Sequence, residues 1–344
     1  MSGLTPDKIR QIGNIPLNFV CGKERSGTTL LQIMLNTHPN IVAPPESRFI
    51  VILHSRYGQI KNWTEDDLNH FCDDIIQEKA IENFWAINKG DLLASFLAAK
   101  DIATYPLLCK LVFYHFSPEK DIKMFFDKNP VYAFYLPQLK RLFPDAKYIH
   151  IVRDYRANIV SHRRVFIIKR SADITYRWLK MNMLIEGAKS SNIENFFTLK
   201  YENLVSEPIK SVTGICSFLQ VPFYEKMAVK HSSGIYPGYN TNVKKRFRKI
   251  HQSVFTPITS SFLNKWEKTL TPKEIMQAEN IAGVYAEKMY GYKQHGKDGV
   301  QKSSFSAAWL VTKLKYKAIN KIYRIVLNNP WLYFKIKKYV WKYF

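Results

Sequence analysis

Cysteine is scarce in this chain of 344 residues: Cys21, Cys72, Cys109 and Cys216 stand alone, with no C-x-x-C pair. That scatter excludes a disulfide framework and a thiolate metal centre, and the four read as buried apolar residues. The nine histidines form no H-x-x-x-H or H-E-x-x-H pattern, so no metal is expected. No run of about 18 uncharged apolar residues is present, which speaks against a membrane-spanning helix. The opening stretch, MSGLTPDKIRQIGNIPLNFV, lacks a basic segment followed by an apolar core and a small-residue cleavage site. Residence in the cytoplasm, free or peripheral on the inner face of a membrane, is the resulting expectation.

Acidic residues are the next deficit. The formal charge is +23, and from residue 301 onward there are ten Lys or Arg and no Asp or Glu. A second basic cluster, KKRFRKIH, occupies 244–251. Such charge faces nucleic acid, an anionic membrane or an anionic small molecule. No nucleic-acid-binding module is recognisable, so nucleic acid is not expected as a partner. The tail mixes aromatic residues with lysine, which suits an anionic membrane surface and equally suits a solvated helix packed on the domain.

With 46% apolar residues, the chain has material for one large α/β domain or two small ones. LNFVCG at 17–22 reads as a buried strand, and SGTTLLQIMLNTHP as the helix after it, with Leu30, Leu31, Met34 and Leu35 on one side. KMFFDKNP (123–130), AKYIHIVRD (146–154) and FFTLKYENL (196–204) supply further strands, separated by helical segments that include most of 63–100. This alternation predicts a P-loop-like three-layer α/β sandwich, a central parallel sheet with helices on both faces. TPKEIMQAENIAGVYAEKMYGY opens on the cap Thr271 before Pro272 and ends near Gly291. The domain is therefore placed at 1–295, with a basic, aromatic, helical extension at 296–344 and a functional loop at 244–262.

CGKERSGTTLL at 21–31 spaces Gly22 and Gly27 as a phosphate-binding loop does, but carries Thr28 where a nucleotide hydrolase has lysine. Strand, glycine turn and helix is the setting such a loop needs, because exposed N–H groups and the helix amino terminus attract anions. Without the lysine, a 5′-phosphate is still held by backbone amides, the Arg25 guanidinium and the hydroxyls of Ser26, Thr28 and Thr29. An ordinary strand-to-helix turn is the plain alternative. A nucleotide kinase with a degenerate loop is the rival enzyme.

GKERSGTTLL resembles the 5′-phosphosulfate-binding loop of sulfotransferases that use 3′-phosphoadenosine 5′-phosphosulfate (PAPS). IVRDYRANIVSHR is similar to that family's second motif, an arginine with a serine eight positions on, and so implies Arg153 and Ser161 on the 3′-phosphate. The likeness is nearest to the branch of tyrosylprotein sulfotransferases and many bacterial enzymes. In that branch RSGTTLLQIMLNTHPNIVAPPESRF implies Glu46 as general base, and DKNP implies Lys128 as the lysine that stabilises the transition state. LKYENLVSEP puts Tyr201 on the cofactor, and FLNKW puts Lys265 at a late phosphate contact. Arg163 and Arg164 are approximate candidates for a further cofactor arginine, and Ser253 for a serine ahead of Lys265.

The resemblance implies sulfuryl transfer from PAPS to a hydroxyl acceptor, without a metal. Glu46, Lys128 and Arg25 are the catalytic set, while Arg25, Ser26, Gly27, Thr28, Thr29, Arg153, Ser161, Tyr201 and Lys265 hold PAPS. A membrane-seeking tail favours a carbohydrate or glycolipid acceptor; a protein tyrosine or a small natural product is the alternative. The chemistry agrees, since in-line displacement needs a carboxylate to take the acceptor's proton and cations to meet charge on the leaving phosphate. Glu46 beside Arg48 and Lys128 beside Asp127 also admit a plain ion-pair reading. Segments 49–125 and 165–195 are expected to shape the acceptor pocket.

Overall fold

The computed structural model describes residues 4–166, 168–229, 260, 263–295, 314 and 318. The expected loop at 244–262, apart from Ser260 and thus including Ser253, lies outside the described residues. So does the extension at 296–344, apart from Leu314 and Ala318.

Among the described residues, five strands make one parallel sheet: β1 (Leu17–Cys21), β2 (Ile41–Val42), β3 (Met124–Lys128), β4 (Tyr148–Val152) and β5 (Phe196–Lys200). Their order is β2-β3-β1-β4-β5. Strands buried on both faces read as near-continuous apolar runs, and alternate residues sort to opposite layers. In β1, Leu17, Phe19 and Cys21 join one core while Val20 joins the other. In β4, Tyr148 belongs to the first core, and Ile149 and Ile151 to the second.

Helices Pro6–Asn14, Glu65–Ile76 and Tyr105–Tyr114 fill the first layer; Thr28–Thr37 and Pro208–Leu219 fill the second. A third apolar cluster ties Trp266 and the carboxy-terminal helices to helix Ser171–Lys189 through Trp178 and Tyr290. The four cysteines are free and buried within this packing. Two caps follow the sequence: Thr64 with Asp67 and Thr271 with Glu274 form reciprocal capping boxes. The segment begun at Thr271 ends at Gly291, φ 71°, with a π turn at Glu279–Gly283 inside it. Among the described residues, no helix is long and apolar enough to cross a membrane.

Strand order decides where a ligand can sit. From β1 the chain first visits β2 and β3 on one side and later β4 and β5 on the other. The crevice at such a switch point, outside the carboxyl ends of the strands, is where open parallel sheets bind ligands. Register pairs Val20 with Lys128 and Cys21 with His150, so the ends of β1, β3 and β4 reach the same edge.

Candidate active site

The turn after β1 requires its glycines. A Cβ on Gly22 would overlap the Ile151 carbonyl oxygen of β4, and one on Gly27 would overlap the Tyr201 ring. Gly27 also has φ 93°, a left-handed value that favours glycine. It caps helix Thr28–Thr37 without a side-chain hydrogen bond, which leaves the first-turn N–H groups for an anion. Ser26, Thr28 and Thr29 are buried, and Ser26 Oγ accepts from Asn158 Nδ2 at 3.2 Å. At the far end of this helix, Lys120 Nζ donates to the Asn36 carbonyl at 2.6 Å and the Ile41 carbonyl at 2.9 Å, a cation where the helix dipole favours one.

Cations gather over the loop. Arg25 Nε donates to Ser161 Oγ at 3.2 Å, and an Arg153 Nη donates to the Arg25 carbonyl at 3.2 Å. The Arg153 guanidinium lies 4.4 Å from the centre of the Tyr201 ring. Its Nε is buried with no hydrogen-bond partner. Burial, then the charges of Arg153 and Arg164, push the Arg25 pKa down to about 10. Guanidinium groups held in mutual repulsion, one with an idle donor, describe a place prepared for an anion.

Sequence leaves Arg163 and Arg164 interchangeable, but the fold separates them. Arg163 donates to Glu274 and Ser171, while Arg164 is the one whose charge reaches Arg25. Helix Ser171–Lys189 lies in a segment expected to shape the acceptor side. What it visibly braces is the loop and its cations, with Trp178 Nε1 donating to the Arg153 carbonyl at 2.8 Å and Arg177 paired to Glu24 at 3.3 Å.

The second half of the site enters from β3. Lys128 is buried at the end of that strand, and its Nζ donates to Glu46 Oε2 at 2.5 Å and to Thr29 Oγ1 at 3.5 Å. Glu46, with a side chain 41% exposed, thus meets Lys128 across 82 residues of sequence. Its backbone is pinned on either side. Trp85 Nε1 donates to the Pro45 carbonyl at 2.9 Å, and Asn129 Nδ2 and the Tyr132 hydroxyl reach the Ser47 carbonyl at 3.2 and 3.3 Å. Tyr132 also donates to Asp127, whose carboxyl burial pushes up to about 7. Trp85, Asn129, Tyr132 and Asn158 are supports with no expected role in the sequence, although Asn129 lies within DKNP and Asn158 within IVRDYRANIVSHR.

Lys265 is exposed at the start of helix Lys265–Thr269, whose Trp266 stacks 4.1 Å from the Arg156 guanidinium. Among the described residues, no group of three His, Cys, Asp or Glu is placed to hold a metal ion.

The profile of the Sulfotransferase family matches residues 16–225, more than half of the chain. The chain belongs to the sulfotransferase family. The matched span holds the loop at 21–31, Glu46, Lys128, Arg153, Ser161 and Tyr201, and leaves Lys265 beyond it. Protein-tyrosine sulfotransferase A of Caenorhabditis elegans is 28% identical over 279 residues, 78% of this chain and 65% of its own length. Protein-tyrosine sulfotransferase 1 of Danio rerio is 26% identical over 262 residues, 74% of this chain and 66% of its own. The chain therefore spans somewhat under two thirds of the length of these sulfotransferase relatives. The solved sulfotransferase domain from the curacin biosynthetic pathway superposes with a TM-score of 0.54 at 20% identity, covering 79% of this chain and 98% of that one. That likeness shows the P-loop-like α/β fold expected for the family.

Proposed function

We propose that the chain transfers a sulfuryl group from PAPS to the phenolic hydroxyl of a protein tyrosine, releasing adenosine 3′,5′-bisphosphate. The observation that carries this reading is the convergence of Arg25, Arg153 and Ser161 on a lysine-free phosphate loop, joined through Lys128 to Glu46. The residues fit such a donor, since a phosphate here would satisfy the idle Arg153 Nε and relieve the crowding of Arg25. Arg25, Ser26, Gly27, Thr28 and Thr29 would hold its 5′ end, Arg153 and Ser161 its 3′-phosphate, and Tyr201 would lie beside it. Lys265 joins as a late phosphate contact.

When bound, the donor supplies an activated sulfuryl group on a phosphate leaving group. The Glu46 carboxylate, which is partly exposed, takes the proton of the incoming hydroxyl. Lys128 Nζ stands between Glu46 Oε2 and Thr29 Oγ1, so one buried cation serves both the base and the loop that meets the leaving charge. Support for tyrosine as acceptor comes from relatives that are themselves protein-tyrosine sulfotransferases. The sugar or glycolipid acceptor suggested by the tail has no comparable support. In the same reading the basic stretch 301–344 draws the protein to an anionic membrane surface, and removal of that stretch is expected to abolish sedimentation with phosphatidylserine vesicles.

Calorimetric titration with adenosine 3′,5′-bisphosphate in the absence of metal, beside ATP with magnesium, tests the donor. Metal-independent bisphosphate binding is expected, and a preference for ATP with magnesium would restore the kinase reading. Transfer of labelled sulfuryl to a tyrosine peptide, with a sugar as competitor, tests the acceptor.

A further inference from the structure

Arg25 has φ 69°, a left-handed conformation that a non-glycine residue keeps only when its surroundings hold it there. The holding is done largely through its neighbour. Asn158 Nδ2 donates to the Glu24 carbonyl at 2.9 Å and to Ser26 Oγ at 3.2 Å, so one side chain ties the loop on both sides of Arg25. The Glu24 carboxylate is itself gripped by Lys23 Nζ at 2.5 Å and an Arg177 Nη at 3.3 Å. His162 Nδ1 lies 3.8 Å from Glu24 and 3.5 Å from Lys23 Nζ. Burial, then the Lys23 charge, lowers the His162 pKa to about 2, so the ring is neutral and accepts from Lys23.

Lys23 is fully buried and the Glu24 side chain is only 16% exposed. Burial works against the Glu24 charge, yet the charges of Lys23 and Arg177 outweigh it and hold the carboxyl well below the usual carboxylate range. A buried ion pair is a weak device for stability alone, because apolar residues of similar volume do that job without the desolvation cost. Its distinct ability is to fix one geometry. Here it fastens the loop to the two helices that flank the anion site, Tyr155–Arg163 through Asn158 and His162, and Ser171–Lys189 through Arg177.

Resting on the donor reading above, we propose that Glu24 is a positioning residue: with Lys23, Arg177 and Asn158 it locks the loop so that Arg25 presents its guanidinium to the donor's phosphate, without touching the donor itself. The charge of Glu24 also partly offsets the crowding of cations around Arg25.

The test is the affinity of adenosine 3′,5′-bisphosphate, read by calorimetry beside a thermal melt. Glu24→Gln strands a buried ammonium, so the pair Lys23→Met with Glu24→Gln removes both charges and provides a variant expected to fold. Each is expected to weaken bisphosphate binding by about tenfold or more, as misplacement of a binding group does, while KM for a tyrosine peptide holds. In an Arg25→Ala background the same changes should have no further effect, because the group they position is gone. Additive losses in that background, or an affinity within about twofold of wild type in the folded pair variant, would overturn the proposal. Failure of the wild-type protein to bind the bisphosphate would instead bring down the donor reading on which it rests.

Discussion

Replacing Arg153 by alanine removes a guanidinium that does opposite things in the free and bound protein. In the free protein the change deletes the hydrogen bond to the Arg25 carbonyl, worth about 1.5–3 kcal/mol for a charged donor, and the stack on Tyr201, worth about 1–2 kcal/mol. It also deletes an unpartnered buried Nε, which returns about 1–3 kcal/mol, and relieves the repulsion that lowers the Arg25 pKa. At mid-range the losses exceed the return by about 2 kcal/mol before the relieved repulsion is counted, so Tm without ligand should fall by no more than about 3 °C. In the bound protein a desolvated charge pair with phosphate is lost, typically about 2–5 kcal/mol, which is a rise of about 30-fold to several thousandfold in Kd. Calorimetry with adenosine 3′,5′-bisphosphate reads the second quantity and differential scanning the first. Arg153→Lys should fall between the two, since it keeps the charge but loses the planar fork and the stack. A Kd within about threefold of wild type in a folded Arg153→Ala protein would refute the assignment of this cation cluster to a phosphate.

Glu46→Gln should lower kcat by about 100-fold or more with bisphosphate affinity intact, and the reverse pattern, affinity lost with kcat intact, would remove Glu46 from the base role. Gly27→Ala forces a Cβ into the Tyr201 ring at a left-handed φ, so a stability loss of about 1–3 kcal/mol in urea unfolding is expected, along with weakened donor binding; a neutral variant would mean that the loop path is different. Asp127 sets a pH dependence: burial raises its pKa from 3.8 to about 7, so the folded state binds the extra proton between those values. The stability it contributes is present below the lower value and is lost as pH rises through about 7. Asp127→Asn, which keeps an acceptor for Tyr132, should therefore gain on wild type between about pH 4 and pH 7, by at most about 4 kcal/mol, and a gain with the opposite slope would refute this. His162, its pKa lowered to about 2 by burial and then by Lys23, contributes with the opposite sign, so the comparison with the variant rather than the wild-type curve alone isolates Asp127.

Much of the fold is legible because its signals are local. β1, β3, β4 and β5 are runs of five residues with strong strand composition, and the caps at Thr64 and Thr271 are written within four residues of chain. β2 escapes because Ile41 and Val42 are too few to show a period; pairing with β3 makes them a strand. The site divides in the same way. Gly22, Gly27, Arg153 and Ser161 stand out by spacing, whereas the supports of Glu46 come from Trp85 and Tyr132, whose roles depend on contacts 40 and 85 residues away. Lys23 next to Glu24 looks like a solvated pair in sequence, and only packing buries it. The choice between Arg163 and Arg164 likewise depends on Glu274, which lies 111 residues further on.

The order β2-β3-β1-β4-β5 has a consequence for descent as well as for chemistry. Glu46 and Lys128 reach the crevice from the β2 and β3 side, and Arg153, Ser161 and Tyr201 from the β4 and β5 side, with the β1 loop as their common wall. The proposed base with its lysine, and the proposed grip on the 3′-phosphate, are therefore written in separate stretches of chain, with the crossover through helix Leu136–Leu142 as the seam between them. In the proposed reading a lineage can rewrite the stretch between the β1 loop and that seam while the loop before it and the cation cluster after it pass on unchanged.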